Sequence, residues 1–213
     1  SQERVYQEKV EKNAHLLMDY GAKIIPSGAT VITHCHSSTV TGIMKHAKKL
    51  GTEFEVISCE TRPRFQGRIT AKELADYGIK VTQIVDGAVN VFMKKADLVI
   101  VGADAITARG DLINKIGTSM VAHLARMHEV SFYSAAELYK YSPSTLFGNL
   151  EKIEERDPKE VWDKAPKKVK VSNMAFDVTS SRFISGYITE AGVIPPQSFF
   201  ALATEKVGIK IYK

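Results

Sequence analysis

The chain has 213 residues, 44% apolar and 25% charged, the make-up of an ordinary globular protein with room for a substantial core. No stretch approaches the ~18 to 20 uninterrupted apolar residues of a membrane span, and the N-terminus lacks the apolar centre of a signal peptide, so a cytoplasmic protein is expected. Two cysteines fit a reduced compartment better than a disulfide framework, and a net charge of +5 is too mild to name a partner.

The chain opens at Ser1 inside a charged helical pattern, in which Val5, Val10, His15, Leu16, Leu17 and Ile24 make a loose apolar stripe. Further residues are expected upstream, and the stripe is expected to lean on them or on a partner subunit. Residues 30–33 then form a short β-branched strand that breaks off into His34-Cys35-His36-Ser37-Ser38-Thr39, and Val40, Ile43, Met44, Ala47 and Leu50 follow at helical spacing. This junction puts the polar cluster at the carboxyl end of a strand and on the first turn of a helix, where free N–H groups favour anions.

Gly51 stops that helix, and residues 54–58 read as a second strand ending at Cys59 and Glu60. After the basic loop ETRPRFQGR, Thr70 and Glu73 read as a capping box for a helix that ends at Gly78. A third strand over 81–85 closes on Asp86, and a helix spans about 88–95. The apolar run 98–101 has the character of a central parallel strand and stops at Gly102-Ala103-Asp104. A turn around Arg109-Gly110-Asp111 precedes a helix from about Gly117 to His128, and a fifth strand covers 132–135. Residues 149–170, charge-rich and interrupted by Pro158 and Pro166, read as a solvated excursion, after which the chain closes with a short terminal helix and strand.

Strand and helix alternating about every 25 residues imply an α/β fold, a doubly wound, mostly parallel Rossmann-like sheet flanked by helices. Ligands in such sheets sit beyond the carboxyl ends of the strands. That rule gathers Cys35, Glu60, Asp86, Asp104 and Glu137, with Asn114, Lys115 and Lys140 on the following loops.

Each of these residues has a bland reading beside a chemical one. Cys35 is either a small buried side chain or a thiol whose pKa is lowered by a helix dipole and two cationic histidines. The cluster of two histidines and a thiol lacks a second ligand motif, and successive strand residues point to opposite faces, so no metal is expected. Asp104 either caps a turn or pairs with the thiol for proton transfer. Asn114-Lys115, ahead of a glycine-started helix, suit a phosphate or plain solvent, and so does Lys140. For Arg62, Arg64 and Arg68 phosphate, nucleic acid and water remain equally open.

Taken in order, THCHSS, ETRPRFQGRITAKELADYGI, VGADAI, INKIGT, AAELYKYSP and NMAFDVTSSRFISGYITEAGVIPP resemble the signatures of one superfamily. It unites sugar-phosphate aldose–ketose isomerases with the α, β and δ regulatory subunits of translation initiation factor 2B. The resemblance runs from about Val31 to Pro196, and THCHS and AAELYK look most like the archaeal ribose 1,5-bisphosphate isomerases. Methylthioribose 1-phosphate isomerases more often carry THCNTG in the first motif, and the regulatory subunits tend to lose the thiol and the carboxylate. The resemblance implies Cys35 as proton acceptor and Asp104 as proton donor, with Ser37, Ser38, Thr39, Asn114, Lys115 and Lys140 holding the sugar phosphate. It implies conversion of ribose 1,5-bisphosphate to ribulose 1,5-bisphosphate in nucleotide salvage, without metal or organic cofactor, by a homodimer or a hexamer built from it. Neither nucleic acid nor membrane is an expected partner. It also implies that residues 1–28 are the remainder of a larger helical region and that 29–213 form the Rossmann-like catalytic domain. The alternatives are a methylthioribose 1-phosphate isomerase and a non-catalytic regulatory subunit.

Overall fold

The computed structural model describes residues 2–147 and 153–207. Its strands are β1 (Ala29–Thr33), β2 (Phe54–Cys59), β3 (Lys80–Ile84), β4 (Leu98–Val101), β5 (Ala105–Ile106), β6 (Leu112–Lys115), β7 (Ser131–Ala135), β8 (Phe176–Thr179), β9 (Gly186–Thr189) and β10 (Gly192–Ile194). Its helices are α1 (Gln2–Lys23), α2 (Ser38–Lys49), α3 (Gln66–Asp76), α4 (Val89–Met93), α5 (Thr118–Met127) and α6 (Phe199–Val207).

The main sheet has the order β10-β9-β7-β4-β1-β2-β3. Its strands run parallel from β9 to β3, and β10 turns back against β9. Winding reverses between β1 and β4, so the carboxyl ends of these two strands flank the crevice in which doubly wound sheets take ligands. Helices cover both faces because successive side chains alternate across a strand. Val31 joins Leu17 of α1, Ile43 of α2 and Leu74 of α3 in one core, while Ile32 joins Met93 of α4, Val121 of α5 and Phe199 of α6 in the other. With both faces covered, β4 is buried along its whole length, which accounts for its unbroken apolar run.

The stripe on α1 is covered only in part within the chain: Leu17 is buried and Ile24 packs against the same core, while Val10 and His15 are exposed. Leu17, Ala22 and Ile25 are buried in the α2 core, and His46 of α2 pairs with Asp19 at 2.6 Å. Other expectations are corrected. Thr70 and Glu73 do not open α3, which begins four residues before Thr70, at Gln66; Phe65 stands at its cap in the left-handed region with no side-chain bond. Thr70 instead donates to the Cys35 carbonyl at 2.9 Å, and Glu73 accepts from Thr41 at 3.0 Å. Both side chains act across the fold, so the motif spacing carried no local meaning. The helix expected over 88–95 is a 3-10 turn, Asp86–Ala88, followed by α4 alone.

The turn at Arg109-Gly110-Asp111 closes a hairpin whose arms, β5 and β6, pair antiparallel. β8 adds to β6 to make a small second sheet. The expected terminal strand lies outside the described residues.

Candidate functional site

Of the residues gathered at the strand ends, Glu60 and Asp86 do not line the cavity, whereas the eight that the resemblance implies, Cys35, Ser37, Ser38, Thr39, Asp104, Asn114, Lys115 and Lys140, line one cavity of about 520 Å³ together with Glu137. It lies beyond the carboxyl ends of β1 and β4, where the winding reverses. Its volume falls within the range of small-molecule sites, ~300 to 1,000 Å³.

Cys35 sits in the left-handed region with φ 68°, which a non-glycine residue adopts only when its surroundings hold it there. Its N–H donates to Thr61 Oγ1 at 2.8 Å and its carbonyl accepts from Thr70. The bend carries the chain off β1 to Ser37, the N-cap of α2, whose hydroxyl accepts from Val40 N–H at 3.4 Å. Cys35 therefore precedes the cap, and Ser38 and Thr39 occupy the first turn. The opposite wall comes from β4. Gly102 closes the gap between the walls: a Cβ there would stand 2.7 Å from Ser37 Cβ. Asp104 follows two residues later, its N–H donating to the Ile113 carbonyl of β6 at 3.0 Å.

Asn114 and Lys115 reach the cavity from β6 and not from a helix start. The beginning of α5 is already occupied, since Asp177 accepts from Gly117 N–H at 2.8 Å and from Ser119 N–H at 3.2 Å. An anion cradle at that helix is therefore corrected. Asn114 is buried and donates to Thr118 Oγ1 at 3.1 Å.

Burial sets the proton affinities. It raises the Asp104 pKa above the ordinary carboxylate value, against the pull of Lys140, Lys115 and Arg156. It also raises the Cys35 pKa, opposed by the His36 backbone N–H and by Lys115. The expected lowering by two cationic histidines is overturned. His34 is 3% exposed, and burial first of all lowers its pKa and keeps it neutral. Its Nε2 donates to the Ile116 carbonyl at 2.8 Å.

That bond turns His34 Nδ1 towards Asp86 Oδ1, 3.9 Å away and too far for a hydrogen bond. Among the described residues His34, Cys59 and Asp86 are the group whose donor atoms, all within 4.8 Å of one another, could hold a cation. The fit is poor. Asp86 already accepts from Thr61 and Arg62 N–H at 2.8 and 2.7 Å, and burial pushes the Cys59 thiol up to about 12.

The three arginines of the basic loop have partners within the chain. Arg68 pairs with Glu60, Arg64 with Glu160, and Arg62 donates to the Val161 carbonyl; none of the three lines the cavity. Arg156 does line it, as do Gln66, Tyr139 and Phe176. Arg156 belongs to the stretch read as a solvated excursion. Its charge resembles that of its neighbours, so no local pattern distinguishes it.

The profile of the initiation factor 2 subunit family matches residues 1–196. The ribose 1,5-bisphosphate isomerase of Pyrococcus furiosus is 48% identical over 203 residues, covering 93% of this chain and 63% of that protein. The enzyme of that name from Archaeoglobus fulgidus is 50% identical over 201 residues, covering 93% and 64%. The crystal structure of 5-methylthioribose 1-phosphate isomerase from Pyrococcus horikoshii superimposes with a TM-score of 0.81 at 34% identity, covering 91% of this chain and 59% of that one. The chain thus spans somewhat less than two thirds of the length of these relatives. It belongs to the initiation factor 2 subunit family.

Proposed function

We propose that the protein is an aldose–ketose isomerase that converts ribose 1,5-bisphosphate to ribulose 1,5-bisphosphate. The observation that carries this is that Cys35 and Asp104 line one cavity at the winding reversal, together with the α2 start, Lys115 and Lys140. The names of the relatives from Pyrococcus furiosus and Archaeoglobus fulgidus support the same substrate.

A furanose phosphorylated at C1 has no free hemiacetal through which to open. The Cys35 thiolate takes the proton from C2, the C1–C2 double bond forms, and the bond from C1 to the ring oxygen breaks as Asp104 delivers a proton to that oxygen. In the second half the Cys35 thiol returns its proton to C1 while the Asp104 carboxylate takes the C2 hydroxyl proton, leaving a ketone at C2. Atoms and charges balance, and both side chains end as they began. A carboxyl with raised pKa suits the donor. The thiol must be ionised to start; burial opposes that form first of all, and the His36 N–H and Lys115 favour it. The first-turn N–H groups at Ser38 and Thr39 suit one phosphate.

The test offers the natural-length protein ribose 1,5-bisphosphate and methylthioribose 1-phosphate in parallel and follows the ketose products. Turnover of the bisphosphate alone supports the proposal. Turnover of the thioether alone replaces it with the second isomerase reading. Turnover of neither returns the chain to a binding role.

A further inference from the structure

Two cations face the cavity without a full answer from the protein. Lys115 is 5% exposed, yet its Nζ makes no hydrogen bond or salt bridge among the described residues. It lies 5.4 Å from the centre of the Phe176 ring. Arg156 Cζ stands 5.8 Å from the same centre. Its Nε and Nη2 donate to Glu154 at 3.1 and 3.4 Å, which leaves Nη1 without an acceptor among the described residues. Glu154 is 54% exposed, so this pair is worth little against solvent.

Arg156 is also held in place. Its N–H donates to the Asn173 carbonyl at 2.9 Å, and Ala175 N–H donates to the Glu154 carbonyl at 2.9 Å. A β-bridge between Glu155 and Met174 lies between these bonds. Residues 154–156 are thereby pinned to the segment entering β8, which fixes the backbone from which the guanidinium reaches the cavity. Two like charges meeting at one aromatic ring repel, and the Lys115 ammonium is disfavoured first by burial and further by Arg156, with Cys35, Asp104 and Glu160 opposing that shift. That arrangement costs the fold free energy that a dianion between the two cations would offset.

We propose that Arg156 and Lys115 form a phosphate cradle at the Phe176 ring, with Arg156 a direct ligand contact of the cavity. The inference rests on the sugar-phosphate reading and deepens it: a phosphate ester, carrying about −1.5 to −2 charge at neutral pH, is the dianion that fits. The rigid guanidinium supplies directed donors beside the single ammonium.

The experiment measures inorganic phosphate binding to the natural-length protein by calorimetry, for wild type, Arg156→Lys and Arg156→Gln. Melting without phosphate is recorded for each, and the KM for ribose 1,5-bisphosphate where it turns over. Loss of a charge-assisted contact is expected to weaken phosphate binding by about 10- to 100-fold in Arg156→Gln, with partial recovery in Arg156→Lys. KM should rise more than kcat falls. Equal phosphate affinity in all three proteins overturns the cradle even where the isomerase turns over. An Arg156→Gln protein that melts far below wild type while its remaining folded fraction keeps full affinity overturns it in favour of a structural role. Weakened phosphate binding without any turnover keeps the cradle and removes the isomerase reading.

Discussion

Gly102→Ala tests how tightly the two walls of the cavity are joined. The added Cβ would lie 2.7 Å from Ser37 Cβ and 2.8 Å from Ser37 Oγ, below any real Cβ contact. Neither neighbour is the free end of a flexible chain, because Ser37 is the N-cap of α2 and its hydroxyl holds Val40 N–H. The end of β4 and the start of α2 must therefore separate. Overpacking of this kind costs about 1–3 kcal/mol. In a domain of ~150 to 250 residues each kcal/mol moves the melting temperature by about 2–4 °C, so a fall of several degrees is expected by calorimetry. The same separation pulls Asp104 away from Cys35, and a misplacement near 1 Å can cost about 100-fold in turnover. Ser37→Gly in the Gly102→Ala background removes the clashing Cβ at the cost of a few tenths of a kcal/mol in capping, and should recover much of the melting temperature. A Gly102→Ala protein with wild-type melting and turnover would refute the close approach.

Further outcomes follow from the charge environment. Burial raises the Asp104 pKa, so its carboxyl favours the fold below its ordinary value of 3.8, and that contribution is lost as pH rises through the folded value. Asp104→Asn should therefore melt above wild type at neutral pH, with the gap closing in acid; a lower melting temperature at neutral pH would contradict the sign. The Cys59 thiol stands at about 12 against an ordinary 9.0, so stability should hold below pH 9 and fall from there towards 12. A denaturation series should show a shallower fall in Cys59→Ala. Asp177→Ala removes the acceptor for Gly117 and Ser119 N–H and should cost about 1–2 kcal/mol, read from urea midpoints.

Five of the seven strands of the main sheet were legible as short apolar runs between amphipathic helices, most clearly at 98–101, which is buried on both faces; β9 and β10 were not read as strands, and the edge strand β3 is largely exposed. The cavity's lining was legible because a doubly wound sheet opens its crevice beyond strand ends, and Cys35 and Asp104 follow β1 and β4 within a few residues. Other features depend on distant partners. β5 has two residues and takes its identity from β6, which in turn pairs with β8 more than sixty residues later in sequence. Thr70 and Glu73 have capping-box spacing but spend their side chains on Cys35 and Thr41. Arg156 is one charge among many until the bonds to Asn173 and Ala175 pin its segment to the cavity. The sign of the thiol shift depended on burial of His34, which neighbouring residue types do not report.

The central claim is that Cys35 and Asp104 form one acid–base pair. It is tested most directly by the turnover of ribose 1,5-bisphosphate by wild type, Cys35→Ser and Asp104→Asn at natural length, with phosphate binding confirmed in each. General acid–base groups contribute about 100- to 10,000-fold, so both variants should bind phosphate and lose turnover by that order. Wild-type turnover in either variant would contradict the account.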